Sequence, residues 1–248
     1  MAGSGLAAPD LPGPDLAAAE PVAAAVVAGS VAVARAPMPA FASRPAADAN
    51  AASASVGAVS YPRAGTGEFG YATGTGPVLG SAGSVLRYHV AVEEGTGQSG
   101  AGFADEVDTI LGDPHGWALD GLRFQRVPHT VRADFTIYLA SPVTSAAMCA
   151  VGGLYTEEYT SCRLPGQVII NLARWLDAVP DYGAPLDVYR AYALNHETGH
   201  ELGYGHEACP APDRPAPVMQ QQTYGLQGCV ANGWPYLGGL RYTGPPVP

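Results

Sequence analysis

The residues His196-Glu197-Thr198-Gly199-His200-Glu201-Leu202-Gly203-Tyr204-Gly205-His206 carry the clearest chemistry in this 248-residue chain. They hold three of its six histidines and fit H-E-x-x-H-x-x-G-x-x-H at every specified position. Three imidazoles, a carboxylate and a glycine at this spacing are what a catalytic zinc site needs. Three neutral ligands leave the ion its double charge and one open position, which lowers the pKa of a water there to about 7.

An α-helix has to position these groups. Residues four apart lie on one helix face, so His196 and His200 can offer two ring nitrogens to one ion. Glu197 is one residue further round, within reach of the water as a general base and acid without being a ligand. Gly203 falls where the helix must stop, because a left-handed residue there turns the chain and glycine does so without a Cβ clash. His206 then returns as the third ligand. The helix is expected to start near Pro185 and Asp187 and to run through Tyr189, Tyr192 and Ala193. Histidines placed only for packing would require neither Glu197 nor Gly203, and a closed structural site would want a fourth protein ligand.

The string resembles the metzincin metalloprotease signature. The resemblance implies a Met-containing turn beneath the ligands, and Met219 in Ala216-Pro217-Val218-Met219-Gln220 is the matching position. Residues 83–237 are also similar to an uncharacterised actinobacterial family of predicted secreted or anchored proteins. That similarity rests on Phe135-Thr136-Ile137-Tyr138-Leu139-Ala140, Tyr159-Thr160-Ser161-Cys162-Arg163, the segment Val168 to Trp175, the zinc string, and the segment Ala216 to Leu226. Some metzincins place a tyrosine two residues after the Met to assist the oxyanion. Gln221 stands at that place here, and Tyr224, five residues on, is a candidate for oxyanion assistance or for lining the cleft.

Residues 1–80 are dominated by Ala, Gly, Pro and Ser and have few large apolar groups, so they read as a disordered leader or linker. Residues 81–248 hold all three Trp and all four Cys and read as the folded domain. Val22 to Ala34 is too short to span a bilayer but suits a signal-peptide core, with Ala40-Phe41-Ala42 as a cleavage site. Asp10, Asp15 and Glu20 stand where positive residues are expected. Export to the cell surface or beyond is expected, with the N-terminal segment as the route to membrane or cell-wall association. The net charge of −10 and the lack of any basic run argue against nucleic acid as a partner. A monomer acting on a peptide or protein is expected.

Cys149, Cys162, Cys209 and Cys229 allow three disulfide connectivities. Cys149–Cys162 and Cys209–Cys229 are favoured, because each pair brackets a short loop-rich segment. Val85 to Val92, Leu122 to Val127, Phe135 to Ala140 and Gln167 to Asn171 read as strands. Phe103, Val107, Ile110 and Leu111 recur at helical spacing, and a helical turn covers Ala173 to Leu176. The class is α+β. The order resembles a metzincin-like zincin fold: a small twisted mixed sheet and two main helices above an irregular C-terminal subdomain, with a peptide cleft between. His89, His115 and His129 lack metal-ligand company and are set aside. The run Gln220-Gln221-Gln222 reads equally as site-lining or as polar loop.

The function expected is that of a zinc endopeptidase. The alternatives are a zinc-stabilised surface binding module without turnover, and a zinc amidase acting on cell-wall peptides. Binding zinc does not need Glu197, and no wall-binding repeat is visible.

Overall fold

Tyr88, Val90 and Val92 alternate with smaller or polar residues, the pattern of a strand with one face against helices. In the computed structural model, which describes residues 60–119 and 121–247, they lie on the longest strand, β2. β1 (Phe69–Tyr71) runs antiparallel to β2 (Ser84–Glu93), while β3 (Leu122–Arg126) and β4 (Phe135–Ala140) run parallel to it. β5 (Cys162–Leu164) is the far edge, antiparallel to β6 (Gln167–Asn171), which is parallel to β4. The class is α+β, as expected.

Helices cover both faces of this sheet. On one face Val90, Ile137 and Ile170 pack against Phe103, Val107 and Leu111 of α1 (Gly100–Gly112) and against Tyr189 and Leu194 of α4 (Leu186–Glu201). Ile137, Ile170 and Leu111 are fully buried, which stabilises the fold by about 1.5–3 kcal/mol for each side chain. Ser99 starts α1 by accepting the Gly102 N–H at 3.1 Å. On the opposite face, Ala140 and Ile169 pack with Cys149 of α2 (Pro142–Val151). α3 (Leu172–Asp177) follows β6 directly, capped by Asn171, whose Oδ1 accepts the Ala173 N–H at 2.9 Å. Beyond α4 the regular strands are short, β7 (Tyr236–Leu237) and β8 (Leu240–Arg241). Both favoured disulfides are present, Cys149–Cys162 and Cys209–Cys229.

The expected boundary between leader and domain at residue 81 is corrected. Residues 60–80 include β1, and Leu79 exchanges both backbone hydrogen bonds with Phe124. The buried Glu93 carboxylate accepts from the Gly67 N–H at 2.8 Å, which ties this segment to the sheet. Its glycine content supplies turns rather than disorder: Gly67, Gly74 and Gly80 all have positive φ. The rest of the expected leader, with Val22 to Ala34 and the Ala40-Phe41-Ala42 site, lies outside the described residues. Among the described residues no helix is long and apolar enough to cross a membrane.

Candidate metal centre

α4 begins at Leu186 with Asp187 in its first turn, close to where the sequence puts it, and buries its face from Tyr189 to Gly199. It ends as the glycine requires. The Gly203 N–H reaches the His200 carbonyl at 3.1 Å, the Tyr204 N–H reaches the Gly199 carbonyl at 2.9 Å, and Gly203 has φ +94°. The chain then turns back and brings His206 to the two helical histidines. The Nε2 of His200 lies 3.2 Å from that of His196 and 3.1 Å from that of His206.

The donor set can be deduced from the opposite ring nitrogens. Nδ1 of His196 is 2.8 Å from the Val218 carbonyl and Nδ1 of His200 is 2.8 Å from the Tyr204 carbonyl. A carbonyl only accepts, so each Nδ1 carries the proton and each Nε2 presents a lone pair. Converging lone pairs repel one another unless a cation sits among them, so these residues fit a metal ion. Burial, and then the neighbouring His200, push His196 down to about 3, against the raising effect of its bond to Val218. His200 and His206 are lowered too, again chiefly by burial. The three rings are therefore neutral at pH 7, the form that binds metal.

Glu197 is buried beside the triad, and burial alone pushes its carboxyl up to about 8. A dication among the imidazoles acts in the opposite sense and favours the carboxylate.

Met219 is fully buried under α4. Its sulfur packs against Gly199, where any Cβ would collide with it and would lie 2.8 Å from Cζ2 of Trp117. The Trp117 Nε1–H donates to the Asn195 carbonyl at 2.8 Å, and its ring stacks on Tyr204 at 4.6 Å. His206 is braced by the chain's last residues. The Val247 N–H donates to its carbonyl at 3.0 Å, and Glu207 pairs with Arg241 at 3.1 Å. Sequence spacing gives no sign of Trp117, Arg241 or Val247, because only the tertiary fold brings them to the site.

A cleft of about 570 Å³ opens over the triad and Glu197. One wall is the segment Leu154 to Arg163, which ends in β5, and the other includes Gln221, Thr223 and Tyr224. Tyr224 is 58% exposed and lines this cleft. The glutamine run divides its work. Gln220 and Gln222 bond backbone carbonyls around the Met219 loop, while Gln221 faces the cleft. The other histidines lie elsewhere: His89 bonds the Val131 carbonyl, His129 stacks on Tyr71, and His115 pairs with Asp113.

A family model described as "Protein of unknown function (DUF3152)" matches residues 56–236. No curated protein and no solved structure matches the chain.

Proposed function

The chain belongs to that family, and we propose from the chemistry of its site that it is an exported zinc-dependent endopeptidase of metzincin type. The observation that carries this reading is the convergence of the His196, His200 and His206 Nε2 atoms beside the buried Glu197 in an open cleft. His196, His200 and His206 would hold the zinc. When bound, zinc supplies a water acidified to a pKa of about 7 and a Lewis-acid pole for the scissile carbonyl.

The chain's own residues do the rest. Glu197 takes a proton from the attacking water on its carboxylate and returns it to the leaving amine nitrogen. The carbonyls of Val218 and Tyr204 hold the His196 and His200 rings in one tautomer throughout. β5, an edge strand on the cleft wall, offers main-chain groups to an extended peptide. The two disulfides are consistent with an exported protein.

The test is hydrolysis of a diverse peptide mixture by the zinc-loaded full-length chain, read by mass spectrometry. Cleavage that stops on chelation supports the reading. Stoichiometric zinc binding with no cleavage of any peptide would refute it.

A further inference from the structure

Of the three histidines, His206 has the least local structure to hold it. His196 and His200 ride on α4, whereas residues 203–206 form no helix or strand. A ligand on irregular chain is only as well placed as the contacts around it, and a looseness of about 1 Å is enough to spoil a site. The turn at Gly203 aims the chain, but its last bond is made at the Tyr204 N–H. What fixes the chain around His206 comes from elsewhere.

Residues 240–247 supply it. The Val247 N–H donates to the His206 carbonyl at 3.0 Å, and the Ala208 N–H donates to the Pro245 carbonyl at 2.8 Å, so this strap is bonded to the chain on both sides of Glu207. The Gly244 N–H reaches the Glu207 carboxylate at 3.3 Å. Gly244 lies so close that a Cβ there would collide with the Ala208 carbonyl and sit 2.9 Å from Pro217, which belongs to the Met219 loop. The strap is thus packed against both the third histidine's segment and the loop beneath α4.

One side chain of the strap touches the His206 segment at both ends. Arg241, on β8, brings its Nη2 to 3.1 Å from the carboxylate of Glu207, the residue after His206. Its guanidinium also lies over the ring of Tyr204, two residues before His206, at 5.3 Å, and over the ring of Trp117 at 5.0 Å. Tyr204 in turn offers its carbonyl to Nδ1 of His200. Arg241 Nη1 bonds the Pro235 and Tyr242 carbonyls, which ties the group to its own hairpin. Arg241 and Glu207 are both largely enclosed.

We infer that Arg241 is a positioning residue for the metal centre: by bracing Tyr204 and Glu207 on either side, it sets where the His206 ring stands. The inference rests on the zinc-binding part of the proposed function and not on hydrolysis. A guanidinium can lie flat on aromatic rings and donate in its own plane to a carboxylate at once, which a lysine ammonium cannot do. Charge alone predicts the opposite effect. A cation near the triad repels a metal ion, so its removal would tighten binding if electrostatics were the whole of its action. A loss of affinity reports position instead.

The experiment is a double-mutant cycle on the full-length chain: wild type, Arg241→Gln, His206→Ala, and the two together. Zinc affinity is measured by competition with a chelator, and the visible spectrum of the cobalt(II)-loaded protein reports the coordination. Arg241→Gln should weaken zinc binding by about 10- to 100-fold, the usual cost of losing a group that orients a ligand. Its cobalt spectrum should shift toward that of His206→Ala. In the His206→Ala background the same change should alter affinity by less than about twofold, since no third imidazole is left to place. Equal losses in both backgrounds would mean that Arg241 only supports the fold, and would overturn the inference. Unchanged or tighter zinc binding in Arg241→Gln would overturn it too, and would leave the zinc reading standing. Wild-type protein that takes up neither zinc nor cobalt refutes that reading, and the inference with it. Should Arg241→Gln fail to fold, Arg241→Lys goes through the same cycle: a loss that vanishes without His206 upholds the inference, and one that persists overturns it.

Discussion

The carbonyl oxygen of Val218 accepts the Nδ1 proton of His196 at 2.8 Å, across 22 residues of sequence. The next residue, Met219, packs its sulfur against Gly199 on the same helix. One loop thus sets the tautomer of one histidine of the triad and also bears on the helix that carries two of the three. The loop is held in turn: Gln222 reaches the Pro217 and Asn232 carbonyls, and the Glu207 N–H donates to the Met219 carbonyl at 3.1 Å.

Gly199→Ala should therefore damage the site from beneath. The added methyl must displace Met219 or Trp117, both closely packed, at a cost of about 1–3 kcal/mol. Urea unfolding and zinc titration should both show the loss. Met219→Leu, which roughly conserves volume, should cost less than about 1.5 kcal/mol.

Gly203→Ala tests the turn. An added Cβ there meets nothing within 4 Å, so any effect comes from the backbone at φ +94°. The strain should be about 1–2 kcal/mol and should move His206. Zinc affinity is expected to fall about tenfold, and wild-type affinity would show that the turn is not needed to deliver His206.

The disulfides should separate in their effects. Cys209–Cys229 closes the segment that contains Met219, whereas Cys149–Cys162 closes the segment that forms a cleft wall. Paired Cys→Ser variants of the first should weaken zinc binding and those of the second should raise KM, each with stability lowered by about 2–4 kcal/mol. Equal losses of zinc binding in both would contradict this division.

The convergence of His196, His200 and His206, a cluster that could hold a metal ion, was legible in the sequence because their spacing is local: two lie on one helix turn and the third follows one glycine. β2 and α1 were legible for the same reason, through alternation at Tyr88, Val90 and Val92 and helical recurrence at Phe103, Val107 and Ile110. β1 was not, because three residues in a glycine-rich stretch carry no periodic signal, and its order comes from pairing with β2. α2 was missed because its alanines mark no apolar stripe. Trp117 and Arg241 could not be assigned to the site, since nothing local links them to His196.

Acid should loosen the N-terminal edge of the domain. Burial acts to raise the Glu93 carboxyl, but bonds from Thr144, the Ser141 N–H and the Gly67 N–H outweigh it and hold the group below its ordinary 4.5. A depressed carboxyl contributes stability that is complete above its unfolded value and lost as pH falls through the lower folded value. Glu93→Gln should cost about 1–3 kcal/mol at pH 7 and should flatten the decline below pH 4.5. Urea midpoints across that range would show it, and a variant as acid-sensitive as wild type would exclude Glu93 as the source.

In the proposed reaction Glu197 moves protons for hydrolysis and does not hold the metal. The most direct measurement compares zinc content and peptide cleavage of the full-length wild type and its Glu197→Ala variant. One zinc per chain is expected in both, with chelator-sensitive cleavage by the wild type and none above background by the variant. Cleavage at the wild-type rate by Glu197→Ala, or loss of its zinc, would contradict it.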